Sequence, residues 1–397
     1  MAEIFLTIFF ISVLLFFLGT GIWVAISMIG VSAIGMMLFT SRPVGDAMAT
    51  TIWGTSSSWT LTALPLFVWM GEILFRTKLS ENLFKGLSPW MQKLPGGLIH
   101  VNVVGCALFA AISGSSAATV ATVGKMSIPE LRKRNYPEKI LLGSLAGSGT
   151  LGLLIPPSII LIIYGVAVQE SIAKLFIAGI IPGIMIALIF MSYVIIWSLI
   201  NKKEMPVILE EYSFLEKIKR SRQLLPVIIL ISSVIGSIYT GIATATEAAS
   251  LGVVGALLLS FFQKTLTIDT FKSSLLGATK TSCMIAFILA GSTFLSLAMG
   301  FTGLPRNLAL WIQNMNLSPY VLIFVLMIFY IILGMFLDGI SAVVLTMAII
   351  EPMIRQAGFD MIWFGIFLVI VVEMAQITPP VGFNLFVLQG MANKDMG

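Results

Sequence analysis

The sequence predicts an all-α polytopic membrane protein, built as an inverted repeat with two re-entrant hairpins and two broken helices. Three observations carry this: an apolar composition, landmarks that recur in order, and basic residues that segregate between alternate loops. Of 397 residues, 58% are hydrophobic and 10% charged, with a mean hydropathy of +1.03. A soluble domain carries about 25% charged residues. That shortage of solvated surface excludes a soluble globular enzyme, a disordered tail protein and a nucleic-acid binder. The net charge of +5 then reads as basic cytoplasmic loops. Cys106 and Cys283 lie in apolar stretches and give neither a disulfide framework nor zinc spacing. The N-terminus has no basic region or cleavage pattern, so its first apolar run is expected to stay as a membrane segment.

A helical span needs about 20 apolar residues. Runs at 4–19 and 21–39 give two short spans, and a third follows at 54–75 after Gly54-Thr55-Ser56-Ser57-Ser58. The stretch 76–95 is amphipathic, basic and too polar to span. The run 97–124 is interrupted at Ser113-Gly114-Ser115-Ser116, and 140–168 at Gly147-Ser148-Gly149-Thr150 and Pro156-Pro157. A clean span occupies 175–200, and 201–222 is a hydrophilic linker. Spans at 224–240, 248–262 and 274–300 precede an amphipathic stretch at 301–318. The run 320–350 breaks at Leu337-Asp338-Gly339-Ile340-Ser341, and 361–390 at Gln376-Ile377-Thr378-Pro379-Pro380. The expected units are therefore 1–200, the linker 201–222, and 223–397.

The two halves share landmarks. Gly114-Ser115-Ser116-Ala117 and Gly339-Ile340-Ser341-Ala342 stand 225 residues apart, Pro156-Pro157 and Pro379-Pro380 223, Met70-Gly71 and Met299-Gly300 229. Three landmarks in one order argue for duplication. Of the 23 basic residues, 18 fall in 76–93, 125–139 and 202–222 or at Lys264, Lys272 and Lys394. That set is expected in the cytoplasm. The run 97–124 then has cytoplasmic charge on both flanks and must enter and return, whereas 320–350 must do so from outside. The halves are thus inverted, the architecture of secondary transporters. Non-helical backbone cannot face lipid, so the tips and breaks must line a wet cavity or be buried in protein. Their free carbonyls and the hydroxyls of Ser113, Ser115, Ser116, Thr119, Thr150, Ser341 and Thr378 suit a hard cation such as Na⁺.

Several segments resemble the large membrane subunit of tripartite ATP-independent periplasmic (TRAP) transporters. They are Ala111-Ile112-Ser113-Gly114-Ser115-Ser116-Ala117-Ala118-Thr119 with its continuation to Gly124, and Gly152-Leu153-Leu154-Ile155-Pro156-Pro157-Ser158-Ile159. Tyr239-Thr240-Gly241 through Ala249, Phe336-Leu337-Asp338-Gly339-Ile340-Ser341 and Ile377-Thr378-Pro379-Pro380-Val381-Gly382-Phe383-Asn384-Leu385 complete the set. The resemblance covers almost the whole chain. It implies an elevator-type, sodium-coupled importer in a bacterial inner membrane, with its N-terminus periplasmic. It also implies a small membrane subunit, a periplasmic binding protein, and an organic acid such as a C4-dicarboxylate or sialic acid as substrate. One departure is that the second half stops before a counterpart of 175–200, so a final helix is expected to be lacking. The alternative is a proton-coupled carboxylate transporter of a related elevator fold that works without a binding protein.

Two sodium sites are expected: Ser113, Gly114 and Ser116 with Gly149, Thr150 and Gly152, and Asp338, Gly339 and Ser341 with Gln376, Thr378 and Pro379. The substrate is expected between the tips, near Ser115, Pro157, Ser158, Gly339 and Asn384, in a cavity without a fixed cation. Asp338 reads either as a sodium-proximal carboxylate or as a cap for backbone amides. Glu373, a carboxylate in an apolar run, reads as functional or as a packing cap. Glu247 is expected to reach water, and His100 to be solvated at the hairpin's cytoplasmic end. An enzyme using Ser115 needs a base within about 3 Å. His100, the sole histidine, lies 15 residues earlier, about 22 Å along a helix. A channel would present a charged ring or filter repeat, and ATP hydrolysis a Gly-rich loop before Lys-Ser/Thr; the sequence has neither.

Overall fold

A computed structural model describes residues 2–206, 212–304, 307, 318–379 and 382–392, without the side chains of 2–5, 7 and 80. The described residues are helical throughout and contain no strand. In order the helices are α1 (Ala2–Gly19), α2 (Val24–Phe39), α3 (Val44–Ser56), α4 (Ala63–Phe75), α5 (Leu79–Met91), α6 (Ile99–Ser113) and α7 (Ser116–Lys133). Then come α8 (Glu138–Gly149), α9 (Ile159–Ala167), α10 (Ile172–Ile200), α11 (Phe214–Ser221), α12 (Leu225–Tyr239) and α13 (Ala245–Phe262). The long α14 (Ile268–Thr302), α15 (Pro319–Gly334), α16 (Gly339–Gln356), α17 (Met361–Gln376) and α18 (Phe383–Ala392) complete the set.

Four described helices, α10, α13, α14 and α16, are long and apolar enough to cross a membrane. Two bent pairs, 44–56 with 59–75 and α11 with α12, would raise that to six. The chain is a multi-pass membrane protein whose outer surface is apolar: Ile181, Leu188, Ile196 and Ile200 on α10 are all exposed. That inverts the usual soluble pattern, because lipid is as good a solvent for these side chains as a protein core.

Several boundaries differ from the sequence expectation. The third span does not begin at 54: α3 is already helical from Val44, and the chain bends by 52° at Ser57-Ser58 before continuing as α4. Polar residues hid α3, none of which is fully buried. It is held by Val44, Ala47 and Met48, packed on Met36 of α2 and on Phe294 and Ala298 of α14. The linker 201–222 ends in α11, with a Ser213–Glu216 capping box, and bends by 57° into α12. The stretch 76–95 forms α5, whose Leu79, Leu83, Phe84 and Leu87 are buried. Most of 301–318 lies outside the described residues.

The two interruptions in 140–168 are a single region. The helix tightens into a 3₁₀ turn at Thr150–Leu153, then restarts at Ile159 with Ser158 as its N-cap. The second break lies between Gln376, where α17 ends, and Phe383. Around these sit α6–α7 and α15–α16, each a helix pair turning at a short tip.

Candidate functional site

The first tip is two residues, Gly114 and Ser115. Gly114 closes α6 with φ +58°, and Ser115 opens α7 by accepting a bond from the Ala118 amide. Glycine is required by contact as well as by φ: an added Cβ would lie 3.0 Å from both the Pro157 carbonyl and Ile159 Cγ1. The Gly114 carbonyl accepts the Ile159 amide at 3.3 Å, so the tip is tied to the restart of the broken helix.

Behind the tip three oxygens gather. Ser113 Oγ and Thr119 Oγ1 are 2.8 Å apart, and the Ser115 carbonyl accepts from Thr119 at 2.8 Å and Ser113 at 3.2 Å. The 3₁₀ turn approaches so closely that a Cβ on Gly152 would stand 2.6 Å from the Ser115 carbonyl and 2.8 Å from Thr119 Oγ1. Gly149 packs on Val120, and Thr150 Oγ1 donates back to the Gly147 carbonyl. Ser113, Ser116 and Thr119 are buried. This neutral oxygen set fits a hard monovalent cation; among the described residues no cluster of His, Cys, Asp and Glu exists for a transition metal.

At the second tip Asp338 is the N-cap of α16, its carboxylate accepting the Ser341 amide at 3.1 Å. Gly339 again permits close approach, since its Cβ would meet Gln376 Nε2 at 2.8 Å. Gln376 Oε1 in turn accepts a 2.7 Å bond from Ser116 Oγ. One buried side chain at the second break thus joins both tips. Thr378 turns its hydroxyl to the Met374 carbonyl, and Pro379 is exposed.

A cavity of about 1440 Å³ opens in front of the tips. Ser113, Gly114, Ser115, Ser116, Asp338, Gly339, Ser341 and Gln376 line one side. Of the expected substrate residues, Ser115 and Gly339 face it, whereas Pro157, Ser158 and Asn384 do not line it. Ser158 is buried, donating to the Leu153 carbonyl and accepting from the Leu161 amide. Asn384 is fully buried, and neither amide atom has a partner among the described residues. Glu373 is also buried, beside the Leu154 amide, with Oε1 unpartnered among the described residues.

Two expectations are corrected. The cavity does contain a basic side chain, because Lys280 of α14 lines it, with Glu72 of α4 also in the lining. His100 is buried rather than solvated; its Nε2 donates to the Pro95 carbonyl at 2.8 Å and Nδ1 has no partner among the described residues. Glu247 is exposed, as expected, and also reaches back to the Thr244 amide in a capping box.

The family described as "Tripartite ATP-independent periplasmic transporter, DctM component" matches residues 11–397. The chain belongs to this TRAP large-subunit family. It is 33% identical over 366 residues to the C4-dicarboxylate TRAP transporter large permease protein DctM of Pseudomonas aeruginosa, covering 92% of this chain and 85% of that one. It is 32% identical over 353 residues to the Escherichia coli 2,3-diketo-L-gulonate large permease YiaN, covering 87% and 81%. With the sialic acid large permease SiaM of Vibrio cholerae it shares 30% over 371 residues, covering 93% and 86%. Among solved structures, the Alcanivorax borkumensis YdaH transporter superposes with a TM-score of 0.61 at 12% identity, covering 94% of this chain and 90% of that one. That likeness concerns the fold alone. As a TRAP large subunit the chain is a transporter permease, and the tips with their cavity are its candidate transport site.

Proposed function

We propose that this subunit imports an organic acid by sodium symport, receiving it from a periplasmic binding protein and working beside a small membrane subunit in a bacterial inner membrane. The observation that carries the proposal is the convergence of both tips and both breaks on one cavity, with an oxygen cluster behind the first tip and Gln376 bridging the two. Sodium would sit among Ser113 Oγ, Thr119 Oγ1, the Ser115 carbonyl and the 3₁₀ turn, and in the related position around Gly339, Ser341 and Gln376. A carboxylate held by tip hydroxyls and helix N-termini is bound better with the cation in place, because carbonyl dipoles alone present the wrong sign. Sodium and substrate then raise each other's affinity by one factor.

The inverted repeat is part of this proposal, and four correspondences support it. Ser115 and Asp338 are N-caps 223 residues apart, and Pro129 and Pro352 interrupt α7 and α16 at that same spacing. Arg132 and Arg355 keep it too. Arg132 donates to the Ala392 carbonyl at the end of α18, at 3.2 Å, and Arg355 to the Val168 carbonyl at the end of α9, at 3.0 Å. Each hairpin thereby grips the broken helix of the other half. Those crossed contacts favour one body of four elements moving against the helices of 4–39, 175–200 and 224–262, as an elevator does.

The test is uptake into proteoliposomes holding both membrane subunits and the binding protein, with succinate, N-acetylneuraminate and 2,3-diketogulonate as probes. Uptake of one of them that requires an inward sodium gradient and the binding protein is the expected result. Uptake unchanged without sodium at constant ionic strength, and driven by a pH gradient, overturns sodium coupling and points to protons carried through Asp338 or Glu373.

A further inference from the structure

We propose that Lys280 is an anion-docking point on the α14 wall of the cavity, holding a carboxylate of the organic acid without help from sodium. It rests on the cavity being the substrate path proposed above, and adds a second foothold on that path. Lys280 lies 12 residues into α14, about 18 Å along its axis. Lys280, Cys283, Met284 and Phe287 all line the cavity. Their spacing of three, four and seven residues is one helical face, so this face of α14 is turned to the cavity. A lysine that deep in an apolar helix costs about 3 kcal/mol unless it meets water or a partner.

The acids near it are committed elsewhere. Glu72 is paired with Arg76, whose guanidinium also reaches Ser273 of α14. Asp338 caps the first turn of α16. Lys280 forms no ion pair among the described residues, and its side chain is exposed. The result is an ammonium with three donors open to a largely apolar chamber, where reduced dielectric strengthens its pull on an anion. The tips offer only neutral donors and rely on sodium, whereas Lys280 presents a basic side chain on the α14 wall. The substrate anion can therefore pass from a sodium-dependent foothold to a sodium-independent one within the same chamber.

The protein carries its own reporter. Cys283 is exposed on the same helix face, whereas Cys106 is buried. Modification rates at Cys283 are to be compared for an anionic and a cationic methanethiosulfonate of similar size, in sodium-free buffer. Lys280→Gln should lower the anionic-to-cationic rate ratio by roughly fivefold or more, and Lys280→Arg should keep it. Succinate should slow the anionic reagent in the wild-type protein, neutral succinamide should not, and Lys280→Gln should abolish the protection. A ratio unchanged in a Lys280→Gln protein that elutes as folded material overturns the proposal, as does absence of protection by succinate. The assay needs neither sodium nor turnover, so a proton-coupled outcome in the uptake experiment would leave it standing, and its failure would leave sodium coupling untouched.

Discussion

The two hairpin tips make the same turn with opposite degrees of enclosure. At the first, Ser113, Ser116 and Thr119 are buried, and the backbone is tied to the restart of α9. At the second, Phe336 is 63% exposed and Asp338 is exposed as well. The caps differ in chemistry and in exposure: Ser115 is neutral, half-buried and faces the cavity, whereas Asp338 is a carboxylate and is exposed. A shared backbone device therefore carries different side-chain chemistry. The first tip carries a buried cluster of neutral oxygens behind its cavity face, and the second an exposed carboxylate at its rim.

Gly114→Val tests the first tip most severely. The left-handed conformation costs a non-glycine residue about 1–2 kcal/mol, and here the side chain would also meet Pro157 and Ile159. We expect a loss above about 3 kcal/mol, seen as failure to elute as a monodisperse species and no uptake. Leu337, which precedes the cap at the second tip and is half-buried, should tolerate alanine at about 1 kcal/mol. Equal damage at both positions would break the distinction between the more and the less enclosed tip.

The next effect lies in the bridge between them. Ser116→Ala leaves the buried Gln376 Oε1 without its donor, worth about 1–3 kcal/mol. A double-mutant cycle with Gln376→Ala should return a coupling of about 1 kcal/mol or more, read from thermal midpoints. Ser116→Ala should also weaken sodium activation of uptake. Thr378→Ala should do so with little loss of stability, since its hydroxyl merely bonds back to Met374. Unaltered sodium dependence in both folded variants would remove these positions from the ion sites.

How far the sequence speaks follows from what each signal is. Glycine, proline and serine at 113–116, 147–157, 338–341 and 376–380 mark breaks because they alter backbone options locally, and the helices do end there. The mixed composition of α3 hides a helix that is held by neighbours remote in sequence. Lys280, His100 and the Ser116–Gln376 bond depend on which helix faces which, and periodicity is silent on that. The spacing of Arg132 and Arg355 was present in the sequence all along. Charge alone gave no sign that they reach helix ends in opposite halves.

Those arginines give the third comparison. Arg132 binds Glu138 through two nitrogens as well as the Ala392 carbonyl. Arg355, more exposed, meets Glu351, Glu170 and the Val168 carbonyl. Arg132→Gln should cost about 1–2 kcal/mol and Arg355→Gln about 0.5–1, after allowing for solvent screening of partly exposed pairs. Thermal midpoints rank them; a larger loss at Arg355 would reverse the order of enclosure found at the tips.

The smallest effect is the sharpest. Asp338→Asn keeps an oxygen that can accept the Ser341 amide, and asparagine caps helices about as well as aspartate. Stability should therefore change by less than about 0.5 kcal/mol. Asp338→Ala should cost about 1 kcal/mol by losing the cap. Sodium coupling separates the two remaining roles. If the carboxylate charge helps hold an ion at the second tip, Asp338→Asn raises the sodium concentration for half-maximal uptake several-fold while the melting point stays put. If Asp338 only caps, Asp338→Asn transports as the wild type does and only Asp338→Ala is impaired. We expect the first outcome, because Asp338 is exposed and lines the cavity, where its carboxylate can face an ion. The second outcome would make both tips alike in function and leave their different caps as an adjustment to burial alone.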